Sequence, residues 1–370
     1  MSAPRIEIDL DLVEHNTRVL VDRLAARDVR VLGVTKATLG SPGVAAAMLR
    51  GGAVGLGDSR VENLARLTDV DGAVPRTLIR SPMLSQAAHV VRTATASLNT
   101  EPAVIAALDA AATHAGVRHD VILMVELGDL REGIAVDDVA AAVQVVLESP
   151  SLRLRGLGAN LACQNGVVPD DANMGVLHRL VDRTEAHHRL ALDVVSSGNS
   201  ANLDWALTTT RLDRTNELRL GEAILLGTEP LRRAPIDGLS TKAFALVGEV
   251  IEVADKPARP WGDQAQAAYG EPPARVGGGS RRQAIVALGR QDVDLDGLLP
   301  PPGIVVLGMS SDHLVLDVGD HPITVGDELR FRLGYGALVR AMTSPFVARA
   351  ERQVLGTPDA LGPVAGSARR

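Results

Sequence analysis

The run Val31-Leu32-Gly33-Val34-Thr35-Lys36 places one lysine at the end of a short, apolar, β-branched stretch. Gly40 and the helix-start pair Ser41-Pro42 follow at once. A lysine there can form an imine with a carbonyl compound or carry a proton. It can equally be a strand-end lysine whose head reaches into water. Later runs also end in polar groups: Glu126, Asp129 and Arg131 after one, Asn160 after another, Ser196 to Ser200 after a third, and Arg219, Gly221 and Glu222 after a fourth. In Ser197-Gly198-Asn199-Ser200, small and hydroxylic residues precede a helical stretch, where N–H groups and a positive dipole end suit an anion. An ordinary N-capped turn has the same composition. With Gly221 from the next run, the stretch makes a two-sided phosphate cradle. A phosphate opposite a lysine points to pyridoxal 5′-phosphate, with Lys36 as its imine partner.

The elements that must position these groups follow a rhythm. Residues 5–10 alternate polar and apolar, as a strand with one wet face does, and a helical stretch covers about 12–26. Short β-rich runs then recur at 29–34, 53–56, 76–79, 94–98, 120–125, 152–159, 192–195 and 217–220, with helical segments between them. Strands alternating with helices predict a parallel sheet. Eight such units close a (β/α)8 barrel in roughly 200 to 250 residues, a length that residues 29–235 suit. In such a barrel chemistry gathers at the C-terminal ends of the strands, where all the polar groups above fall. After Pro235 the pattern turns to alternating runs at 242–253, 282–288, 303–307, 313–318 and 328–333, separated by turn-formers. The expected organisation is a TIM-type α/β barrel over 1–237, an all-β domain over 238–355 and a flexible tail over 356–370. Gly277-Gly278-Gly279-Ser280 lacks the strand-then-helix context of a phosphate loop and reads as a flexible loop.

Composition narrows the class. Of the 370 residues, 46% are apolar and 22% charged, which supplies a sizeable core and argues against wholesale disorder. Aromatics at 2% and a formal charge of −7 argue against a nucleic-acid or anionic-membrane partner. The single cysteine, Cys163, excludes an intramolecular disulfide and a cysteine-based zinc cage, and it reads as a buried apolar residue. His178, His187 and His188 read as surface residues of a helical stretch, so no metal site is expected. With no apolar targeting segment and no bilayer-spanning run, a cytoplasmic protein is expected.

Taken together, these stretches resemble the fold-type III pyridoxal-phosphate enzymes related to alanine racemase, specifically the alanine/ornithine racemase branch. The matching pieces are the lysine strand, Gly57-Asp58-Ser59-Arg60, Leu127 to Gly133, Ser197 to Ser200 and Leu218 to Glu222. They continue through Gly289-Arg290-Gln291-Asp292, Ser310 to Leu314, Tyr335 to Leu338 and Thr343-Ser344. The resemblance implies a barrel plus a β-domain that the first strand often joins. It also implies a head-to-tail homodimer in which each β-domain helps complete the other subunit's site. It makes Lys36 the Schiff-base lysine and one catalytic base. Arg219 is implied to face the pyridine nitrogen, and Arg131 to lie near the phenolic oxygen. Asn160 stands where relatives often place a histidine behind that arginine, and Ser197, Gly198, Asn199, Ser200, Gly221 and Glu222 cradle the phosphate.

Two features of alanine racemases are missing. No tyrosine follows Lys36 in Ala37-Thr38-Leu39-Gly40, and none occupies Ala287 to Asp292, where relatives carry the second base. Asp292, Asp312 and His313 are the candidates to replace it, with Asp312 alternatively a contact for a cationic substrate. Asp129, Glu132, Asp292 and Asp294 could hold the terminal ammonium of a basic amino acid. The resemblance therefore predicts an isomerase that interconverts L- and D-forms, ornithine or a similar residue being the substrate. Alanine racemase proper would want the missing tyrosines, and the known single-domain pyridoxal-phosphate carriers lack a β-domain. A D-amino-acid aldolase would need a metal site, while a sugar-phosphate barrel enzyme could use the same cradle and lysine.

Overall fold

The computed structural model describes residues 3–70, 72–270 and 278–353. The expected tail over 356–370, and Gly277 of the glycine loop, lie outside the described residues. Strand β1 (Arg5–Asp9) leads into helix α1 (Leu10–Ala25), which the Asp9 carboxylate caps by accepting from the Leu12 N–H at 3.1 Å. Eight short parallel strands then close on themselves. They are β2 (Arg30–Val34), β3 (Gly55–Asp58), β4 (Arg76–Leu78), β5 (Ala96–Asn99), β6 (His119–Val125), β7 (Leu152–Ala159), β8 (Val194–Ser196) and β9 (Glu217–Leu220). Between them run α2 (Pro42–Arg50), α3 (Val61–Arg66), α4 (Ala87–Thr93), α5 (Pro102–Ala115), α6 (Val139–Leu147), α7 (Asp171–His188) and α8 (Leu203–Thr208), with α9 (Glu222–Leu226) after the last strand. The ring closes where β2 pairs with β9 as well as β3.

Every residue of β3, β5, β8 and β9 is buried, the polar Asp58, Ser97, Asn99, Ser196, Glu217 and Arg219 included. Leu98, Ile122, Met124 and Val194 form a small separate cluster, contributed by β5, β6 and β8, with Ile79 packed on it. Such inward-facing layers are what fills a barrel of this size.

The second sheet runs β12 (Leu298–Leu299), β15 (Glu328–Leu333), β10 (Phe244–Pro257), β11 (Ser280–Val286), β14 (Leu314–Asp317), β13 (Val305–Met309). Its long central strand, β10, has a bulge between Val250 and Glu252. The first strand belongs to this sheet. Ile6 stands opposite Leu246 of antiparallel β10 and opposite Arg349 of parallel β16 (Ala348–Arg352). This part of the chain also carries a helix, α10 (Tyr335–Thr343), where the sequence suggested only strands. Its buried residues Ala337, Leu338, Ala341 and Met342 have helical spacing, but they follow directly on the alternating run of β15.

Candidate active site

The C-terminal strand ends open into one cavity of about 200 Å³, lined by Lys36, Arg131, Asn160, Asn199, Ser200, Arg219, Gly221 and Glu222. Lys36 begins a tight turn directly after β2. The Thr35 N–H donates to Gly57 O at 2.9 Å, and the Thr38 hydroxyl donates back to Thr35 O at 2.9 Å. Gly40 completes the turn at φ +62°, where a Cβ would stand 2.6 Å from Asn63 O, so glycine is required. Ser41 then caps α2, accepting from the Val44 N–H at 3.2 Å. Helix α10 rests on this turn and brings the Tyr335 ring centroid to 5.9 Å from Lys36 Nζ. Below it the fully buried Asp58 carboxylate accepts from Thr35 Oγ1 at 2.9 Å, the Arg60 N–H at 2.9 Å and Asn63 Nδ2 at 3.0 Å. Burial raises the pKa of Asp58 in spite of these donors and the Lys36 charge.

Arg219 is 4% exposed and makes no ion pair among the described residues. One terminal nitrogen donates to Ser196 O (3.1 Å) and Ser196 Oγ (2.6 Å), the other to Ala159 O (2.7 Å). The Ser196 hydroxyl donates to Glu217 Oε1 at 2.9 Å, which leaves its lone pairs for Arg219. Burial lowers the pKa of this guanidinium, an expensive state that such carbonyl and hydroxyl partners make tolerable. Asn160 Oδ1 accepts from Asn199 Nδ2 at 3.0 Å, while its own Nδ2 is buried without a partner among the described residues.

The cradle is built as a reciprocal turn. Asn199 Oδ1 accepts from the Ala201 N–H at 2.7 Å, and Asn202 Oδ1 accepts from the Asn199 N–H at 3.3 Å. Gly198, at φ +130°, leaves room for Asn202, which a Cβ would meet at 2.0 Å. Ser200 Oγ accepts from the Ala223 N–H at 3.1 Å and ties this loop to the one after β9. The N–H groups of Ser200, Gly221 and Glu222 find no acceptor among the described residues. Free N–H groups, an orphaned amide and a buried unpaired cation fit a phosphorylated aromatic cofactor.

Not all expected residues meet here. Ser197 Oγ turns away to Thr215 Oγ1 at 2.7 Å, behind the loop. Asp292 is 7% exposed and braces the β-domain, accepting from the Gly289 N–H (3.0 Å) and Ser344 Oγ (3.3 Å). Asp312 accepts from Gln291 Nε2 at 2.7 Å, and the His313 N–H donates to Ser310 Oγ at 3.2 Å. None of the three lines the cavity of its own chain. Asp294 caps a short turn instead, while Asp129, 1% exposed, accepts from the N–H groups of Cys163 (3.1 Å), Gln164 (2.9 Å) and Asn165 (3.1 Å). Burial pushes that carboxylate up, but backbone N–H donors, Gln164 foremost, outweigh it and hold its pKa below the ordinary value.

Other groups enter unannounced. Cys163, expected in the core, is exposed and lines the cavity with Tyr335 and Arg233, beside Glu132, the one of the four expected ammonium-binding carboxylates that lines it. Glu132 pairs with Arg131, and Glu222 with Arg233. Burial raises the pKa of Glu222 even so, and it raises that of the Tyr335 phenol. Leu130 and Ala162, directly before Arg131 and Cys163, are both left-handed, at φ +52° and +58°. Neither is glycine, so the fold holds both loops in a sparsely populated conformation. His178, expected at the surface, is 4% exposed and bonds Thr215 Oγ1 at 2.9 Å.

A barrel with a lysine and an anion cradle at its mouth, backed by a β-sheet that includes the first strand, defines a narrow class. The family model of the alanine racemase N-terminal domain matches residues 8–230. The chain is 36% identical over 350 residues to the lysine racemase of Thermotoga maritima, covering 94% of this chain and 98% of that one. To the ornithine racemase of Acetoanaerobium sticklandii it is 36% identical over 294 residues, covering 78% and 83%. The solved alanine racemase from Streptomyces coelicolor superposes with a TM-score of 0.75 at 20% identity, covering 94% and 97%. The chain belongs to the alanine racemase family.

Proposed function

We propose that this protein is a pyridoxal-phosphate-dependent racemase of a basic amino acid such as lysine or ornithine. The carrying observation is the convergence, in one cavity, of Lys36, the Asn199–Ser200–Gly221 cradle and the buried Arg219 cation. When bound, the cofactor supplies an aldehyde for the substrate amine and a sink for the electron pair released on Cα. Lys36 holds that aldehyde at rest and moves the α-proton on its own face. Ser200, Gly221 and Glu222 hold the phosphate through their N–H groups. Arg219 cannot give up its proton near neutrality. A ring nitrogen held against it would therefore stay unprotonated, which would limit the sink and favour return of the proton over transamination. The choice of a basic substrate is supported by the two curated relatives. A head-to-tail homodimer belongs to the same reading and would bring Asp312 and His313 toward a second copy's cavity.

Borohydride reduction followed by peptide mass measurement is expected to find a phosphopyridoxyl group on Lys36. Lys36→Ala is expected to lose both the visible cofactor absorbance and racemisation of L-lysine and L-ornithine, read by chiral chromatography. Retention of both in that variant sinks the reading.

A further inference from the structure

Removing a proton from one face of Cα and returning one to the other needs a second proton carrier across from Lys36. The cavity wall offers few. Arginines do not exchange protons near neutrality, which removes Arg131, Arg219 and Arg233. Glu132 and Glu222 are held in ion pairs with Arg131 and Arg233. Tyr335 stands on the Lys36 side, on the helix that packs against the lysine turn.

The remaining group is Cys163, and its loop is built to present it. Asp129 pins the loop from below through three backbone N–H groups, starting with that of Cys163 itself. Asn199 Nδ2, from the anion cradle, reaches Sγ at 3.4 Å. The loop leaves β7, which lies three steps round the closed ring of eight strands from the β2 that carries Lys36 (β2 to β9 to β8 to β7), and four steps is the diameter. Two further observations support a ligand at this part of the wall. Among the described residues, Arg219 is buried there without an ion-pair partner, and the Nδ2 atom of the neighbouring Asn160 is buried with no hydrogen-bond partner.

We propose that Cys163 is the proton carrier opposite Lys36. In one direction the Cys163 thiolate takes the α-proton as the Cα–H bond breaks and an S–H bond forms. The electron pair of the broken bond stays with Cα and the cofactor, and then takes a proton from the Lys36 ammonium on the other face. In the reverse direction the Lys36 amine takes the proton and the Cys163 thiol gives one. Exchange with water restores both groups between turnovers. The assignment rests on the racemase reading above.

The test uses the holoenzymes of Cys163→Ala and Cys163→Ser alongside wild type. Both variants are expected to keep the Lys36 adduct on borohydride reduction, while racemisation of lysine falls by roughly 100-fold or more. In deuterium oxide each is expected to exchange the α-proton of one enantiomer only, with retention, because Lys36 still works on its own face. In wild type, iodoacetamide is expected to label Cys163, read by peptide mass, and bound lysine to protect it. Racemisation within about threefold of wild type in either variant overturns the assignment. So does a wild-type Cys163 that is unlabelled or unprotected, a readout that stands even if both variants fail to fold. Loss of racemisation in Asp312→Asn or His313→Asn, with Cys163→Ala still active, moves the role to the β-domain. Absence of the Lys36 adduct in wild type sinks the cofactor reading itself, whereas an intact adduct with undiminished racemisation in Cys163→Ala sinks only the role of Cys163.

Discussion

His119 opens β6 at 1% exposure, with Nε2 2.8 Å from Ser97 Oγ. Burial lowers its pKa from 6.5 to about 4, so the folded protein keeps it neutral where an unfolded chain would bind a proton. Between those two values the unfolded state holds more protons, and stability therefore rises with pH, by up to about 1.4 kcal/mol per unit. Thermal melts across that window are expected to show this acid limb, and His119→Gln to flatten it. An unchanged limb in the variant would assign the effect to other groups. Residue types alone said nothing of this histidine, nor that Cys163 would face the cavity. The exposure of Cys163 is decided by Asp129, 34 positions earlier in the chain, whose carboxylate had looked like a substrate contact. A buried carboxylate that bonds three N–H groups and a solvated one that binds an ammonium are the same letter in a sequence.

At the level of elements, the strands were legible because each is a short apolar run that makes its own signal. All eight barrel strands fall where those runs stand. The order of polar groups at the strand ends was legible for the same reason, since a parallel barrel gathers those ends over one mouth. Helix α10 was hidden behind β15, and with it the contact between Tyr335 and the lysine turn, which joins positions about 300 apart. That turn is itself a sharp test of the fold. Gly40→Ala puts a side chain at positive φ and against Asn63 O, at an expected cost of about 1–3 kcal/mol. Because the displaced segment carries Lys36, racemisation is expected to fall more steeply than the melting temperature. Wild-type activity in a Gly40→Ala variant that melts lower would show that the turn can yield without moving the lysine.

The whole molecule is held together by its first strand. Ile6 and Ile8 are fully buried in β1, between β10 on one side and β16 on the other, while Arg5 and Glu7 pair with Glu328 and Arg330 of β15. Ile6→Ala is expected to cost about 2–5 kcal/mol, as deletion of a fully buried aliphatic side chain does, and chemical denaturation is the measurement. A loss under about 1 kcal/mol would mean that the sheet closes without it. The pairing has a further consequence for the order of events at the ribosome. The strand that completes the second sheet is synthesised before the barrel, and its partners Leu246 and Arg349 are synthesised after it. While the barrel is emerging, β1 therefore carries two unsatisfied edges with nothing of its own chain to pair with, which is the state in which a strand recruits a stranger. Nascent chains stalled before residue 244 are accordingly the ones that most need a chaperone over their first ten residues.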